Sequence, residues 1–72
     1  MHINKDKLRE LLNEMFKGNY NRMSKALNVS PPHLHKILNS KSEAGAFFLG
    51  QFMVYCNNNN LCFNDYIFLQ KP

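Results

Sequence analysis

The chain has 72 residues, a net charge of +4 and 44% hydrophobic residues. That length supports one domain, residues 1–72, with a thin core. No window approaches the roughly 18 apolar residues of a membrane span, and the start, Met-His-Ile-Asn-Lys-Asp-Lys, leads into a charged helix rather than an apolar leader, so the expectation is a cytoplasmic protein without membrane contact.

Helix one is predicted from Asn4 to Phe16. Asn4 suits an N-cap and Asp6 sits near the positive end of the helix dipole. Leu8, Leu11, Leu12, Met15 and Phe16 recur at three- and four-residue steps, giving one apolar stripe for the core. Ile3 packs beneath the first turn, and Gly18 stops the helix. Helix two runs from Tyr20 to Leu27, with Asn19 or Asn21 as its cap. Met23 and Leu27 face inward. Ser24 is small enough for a close helix crossing.

The turn Leu27-Asn28-Val29-Ser30 needs one residue of positive φ, and asparagine tolerates it best after glycine. Ser30 caps helix three, and Pro31 and Pro32 occupy the first turn, where no amide has an internal partner. Leu34, Ile37 and Leu38 form its buried side. His35, Lys36 and Asn39 lie opposite, a short polar and basic set suited to base edges and phosphates. Two helices joined by so tight a turn are a helix-turn-helix.

Ser40 to Ser42 read as a loop, and Ser42 or Glu43 opens a fourth helix that runs to about Cys56. Phe47, Phe48, Leu49, Phe52, Met53, Val54, Tyr55 and Cys56 make it apolar over much of its circumference, so it is expected to be largely buried. Asn57 to Asn60 form a loop. Asn64 caps a fifth short helix from Asp65 to about Leu69. Tyr66, Ile67, Phe68 and Leu69 are consecutive, and a helix cannot turn all four to one core. Tyr66, Phe68 and Leu69 are therefore candidates for a dimer interface. The expected fold is all-α, a compact bundle of five short helices with the helix-turn-helix as helices two and three.

Charge is unevenly placed. No acid occurs between Glu14 and Glu43, and that interval holds Lys17, Arg22, Lys25, Lys36 and Lys41. Such a local positive field attracts a polyanion. Cys56 and Cys62, taken with His2, His33 and His35, fit no common zinc module, so reduced thiols and no metal or other cofactor are expected. No acid lies near the histidines, and there is neither a glycine-rich phosphate loop nor a nucleophile pair, which argues against an enzyme. No small-molecule ligand is evident.

From Met23 to Asn39, an apolar residue, a small one, Ala26-Leu27, a turn residue, Val29-Ser30 and a helix with inward Leu34 and Ile37 resemble the helix-turn-helix of the lambda-repressor-like and Cro-like DNA-binding family. Phe48, Leu49, Phe52, Met53, Tyr55 and Cys56, an asparagine loop, then Leu61, Asn64, Tyr66 and Ile67 look like that family's fourth and fifth helices. The resemblance covers roughly Asn4 to Leu69. It implies five helices and binding to duplex DNA, usually as a homodimer on a two-fold operator. Departures are Asn28 for the usual turn glycine, Ser24 for alanine, Tyr20 for a phosphate-gripping glutamine, and Pro31 and Pro32 where polar base-contacting side chains are common.

The resulting expectation is a small transcriptional regulator, most simply a repressor, that reads the major groove of double-stranded DNA with helix 31–39. His35, Lys36 and Asn39 are the expected base contacts. Tyr20, Arg22, Lys25, Ser30, His33 and Lys41 are the expected backbone contacts. The rival reading is a helical protein-protein interaction module or accessory subunit that does not read DNA sequence.

Overall fold

The computed structural model describes residues 2–68. Three of its four helices start on the side chain that the sequence nominates. The Asn4 carbonyl oxygen Oδ1 accepts from the Lys7 amide at 3.2 Å and opens α1, Lys5–Phe16. Asn19 does the same for the Arg22 amide at 3.1 Å and opens α2, Tyr20–Leu27. The Ser30 hydroxyl accepts from the His33 amide at 3.3 Å and opens α3, Pro31–Asn39, with both prolines in its first turn.

The stops are equally local. Lys17 and Gly18 both turn left-handed, at φ 52° and 76°, and the Gly18 amide returns to the Leu12 carbonyl. Asn28 takes the left-handed turn position at φ 57°. The Asn28 amide then donates to the Lys25 carbonyl, and the Val29 amide to the Ser24 carbonyl, which ends α2 within one residue.

The fourth helix differs from the expected one at both ends. α4 spans Ala46–Asn58 and starts at Gly45 without a side-chain cap. The reason lies upstream. The Lys5 ammonium donates to the Ser40 and Ser42 carbonyls at 2.6 and 2.8 Å, and His2 Nδ1 meets Glu43 Oε1 at 2.9 Å. These contacts hold the stretch before Gly45 out of the helix. At the other end α4 enters the asparagine run. The Asn59 side-chain amide donates to the Tyr55 carbonyl at 2.8 Å, and Asn60 takes the left-handed position at φ 57°.

The expectation of an all-α bundle of five helices is overturned. Among the described residues there are four α-helices, and the fifth is replaced by a 3-10 turn, Phe63–Tyr66, followed by a short strand. That strand, β2 (Ile67–Phe68), pairs antiparallel with β1 (His2–Ile3), opposing Ile3 to Ile67 and His2 to Phe68. The Asn4 amide extends the pairing to the Tyr66 carbonyl at 2.7 Å. Aromatic and β-branched residues favour extended chain. An extended chain also sends consecutive side chains to opposite faces, and Ile67 is half-buried while Phe68 is exposed.

The core gathers Leu8, Leu11 and Leu12 of α1, Met23 and Leu27 of α2, Leu34, Ile37 and Leu38 of α3, and Phe48, Phe52, Tyr55 and Cys56 of α4, with Ile3 beneath α1. Ser24 of α2 is buried, its hydroxyl donating to the Asn21 carbonyl at 2.9 Å. Two parts of the apolar pattern stay outside. Met15 is exposed, and α4 is one-sided rather than largely buried, with Phe47 62%, Val54 55% and Met53 42% exposed. Among the described residues no helix is long and apolar enough to cross a membrane.

Candidate nucleic-acid interface

The helix-turn-helix is α2, the Asn28 turn and α3. Its three inward residues on α3, Leu34, Ile37 and Leu38, fix the helix's rotation. That rotation leaves His35, Lys36 and Asn39 on one exposed face. All three are therefore brought together as the sequence anticipates.

The face is more organised than spacing could reveal. The Tyr20 ring lies against the His35 ring, centroids 5.1 Å apart and tilted 48°. The Asn39 side-chain amide donates to the Tyr20 hydroxyl at 3.1 Å and to the His35 carbonyl at 3.1 Å. So the first residue of α2 is bound to the middle and end of α3. Arg22 and Lys25 of α2, Lys36 of α3 and Lys41 just after α3 are exposed. Among the described residues the one ion pair is His2 with Glu43, so none of these cations is held by a carboxylate.

α3 is also secured from behind. Its last carbonyls carry the negative end of the helix dipole and lack intrahelical donors. The Arg9 guanidinium donates to the Leu38 carbonyl, and Lys5 covers Ser40 and Ser42. Two cations of α1 therefore meet the C-terminal end of α3. Arg9 is not part of the apolar stripe of α1, and no residue spacing signals that its long side chain reaches across to α3. At the other end, the Gln51 amide donates to the Asn28 carbonyl at 3.1 Å and ties the turn to α4.

Two expected backbone contacts have other employment. His33 is half-buried, its ring stacked on Phe47 at 6.3 Å and edge-on to Phe48 at 5.9 Å, so it joins the first turn of α3 to α4. The Ser30 oxygen accepts as the helix cap, although its own proton is free to donate.

Of the expected dimer contacts, Tyr66 is half-buried and packs edge-on against Phe52 at 5.1 Å, with the Lys7 ammonium 5.7 Å from its ring. Burial, then the charges of Cys56, Asp65, Glu14 and Glu10, raise its hydroxyl above the ordinary phenol value. Glu10 and Glu14 belong to α1 and Asp65 to the 3-10 turn, all outside the acid-free interval. Phe68 is 36% exposed, and Leu69 lies outside the described residues. The exposed face of α4 was not foreseen, because a helix apolar all round reads as buried.

Both thiols are free. Cys56 is buried and Cys62 exposed. No three metal-ligating side chains converge among the described residues. Comparison with family models, with curated proteins and with solved structures returned no match for the chain. Inference about function therefore rests on the chain's own chemistry.

Proposed function

We propose that the chain is a sequence-specific double-stranded DNA-binding protein, a small cytoplasmic transcriptional regulator acting as a repressor. The observation that carries this reading is the exposed face of α3, with His35, Lys36 and Asn39, together with exposed cations on and beside α2 and α3 that no carboxylate among the described residues neutralises. α3 enters the major groove. Lys36 donates to guanine O6 or N7, and His35 and Asn39 meet neighbouring base edges. Tyr20, Arg22, Lys25 and Lys41 hold phosphates, as does the free proton of Ser30. His33 contributes by placing the helix start. The protein works as a homodimer, because one such domain covers few base pairs. Two half-sites then lie about one helical turn apart.

The rival is a protein-interaction module, favoured by the exposed Phe47, Met53 and Val54 of α4. A gel-shift series on duplexes selected from random sequence separates the two. Lys36→Ala is expected to relax or abolish sequence preference. Lys25→Ala is expected to weaken all duplexes alike and to reduce the salt slope by about one. If wild type prefers no duplex over any other, the regulator reading fails.

A further inference from the structure

We infer that Tyr20 is a positioning residue that makes Asn39 an acceptor-only reader of base edges, selecting bases that carry an amino group in the major groove. The inference rests on the DNA-binding reading above.

The geometry fixes the orientation of the Asn39 amide. A backbone carbonyl can only accept, so the Asn39 atom facing the His35 carbonyl at 3.1 Å must be the nitrogen. The second hydrogen of that nitrogen goes to the Tyr20 hydroxyl at 3.1 Å. Both donors of the side chain are then engaged within the protein. The oxygen Oδ1 receives no donor from the described residues, and Asn39 is exposed.

This departs from the usual behaviour of asparagine in the major groove. A free asparagine pairs with adenine through two bonds, accepting from N6 and donating to N7. Here donation to N7 is forfeited while Tyr20 holds the amide. What is left is an acceptor, which meets the N6 amino group of adenine or the N4 amino group of cytosine equally well. Guanine and thymine present O6 and O4 acceptors at the corresponding places and are rejected. The Tyr20 hydroxyl, having accepted from Asn39, still has its own proton for a phosphate oxygen. One residue of α2 thus couples a backbone grip to the setting of a base contact, and its ring against His35 keeps it in place.

The test is selection from random duplexes with the full chain, as wild type, Asn39→Ala and Tyr20→Phe. Asn39→Ala identifies the base position that Asn39 reads by loss of preference there. At that position wild type is expected to accept adenine and cytosine within about threefold, and to disfavour guanine and thymine roughly tenfold or more. Tyr20→Phe keeps the ring and deletes only the oxygen. It frees one donor and is expected to shift the position to adenine over cytosine by roughly tenfold, with the melting temperature nearly unchanged.

A second readout needs no DNA. One of the two side-chain amide protons of Asn39 should change its NMR shift between wild type and Tyr20→Phe, while the other stays with the His35 carbonyl. Wild type that selects adenine alone, a Tyr20→Phe variant with wild-type preference, or an Asn39 amide indifferent to the hydroxyl each overturns the inference while leaving DNA binding intact. Wild type without any duplex preference overturns the DNA-binding reading, and this inference with it.

Discussion

Asn28 shows how much one side chain decides. The turn between α2 and α3 demands a left-handed residue, and Asn28 supplies it at φ 57°. Asn4, Asn19 and Ser30 were legible as caps for the same local reason, since a short polar side chain beside a predicted helix start has one obvious amide to satisfy. The bond of Asn39 to the Tyr20 hydroxyl was not legible, because it depends on how α2 crosses α3, whereas the bond to the His35 carbonyl is local to α3. Cys56 carries a prediction at this scale. Burial, and then the neighbouring Cys62, push its thiol from 9.0 up to about 11. Between those values the unfolded chain releases a proton that the folded chain keeps, so stability is intact below the lower value and falls as pH rises through the window. Thermal melting across that range should show a steeper decline for wild type than for Cys56→Ala. The variant melts lower throughout because it leaves a cavity. The raised phenols Tyr55 and Tyr66 contribute to both curves. Parallel curves would refute the assignment.

At the scale of elements, α1, α2 and α3 follow from periodicity and caps, and their order and lengths agree with the sequence reading. The two failures have physical causes. α4 begins late because Lys5 and the His2–Glu43 pair hold the preceding stretch, and such long-range bonds leave no mark on a helical pattern. The tail forms a 3-10 turn and a strand because a partner strand, His2–Ile3, was available at the other end of the chain. A two-residue strand is too short to signal itself in sequence. The seat of α3 is open to test through Arg9. Arg9→Met keeps an unbranched apolar stem but leaves the part-buried Leu38 carbonyl without its charged donor. A charge-assisted bond of this kind contributes about 1–2 kcal/mol, and each kcal/mol lowers the melting temperature of so small a domain by about 4–8 °C. The variant should melt lower by about that amount and bind selected DNA more weakly. An unchanged melting temperature would remove Arg9 from the account.

Across the whole molecule, charge and apolar surface are segregated. Cations cluster over the helix-turn-helix and its flanks, with acids before and after. An uncharged stretch from Ala44 to Asn64 carries the exposed Phe47, Met53 and Val54. The strand pair joins the two ends of the chain and closes the core beneath α1. Such a layout suits a small scaffold that presents one helix to a polyanion. Its central claim is that α3 reads the sequence of duplex DNA. The most direct measurement is a fluorescence-anisotropy titration of a selected duplex and a scrambled duplex of equal length at increasing salt. The account predicts that the selected duplex binds on the order of a thousandfold tighter than the scrambled one, with the affinity of both falling steeply as salt rises. Equal binding of the two duplexes, or binding that salt leaves unchanged, would contradict it.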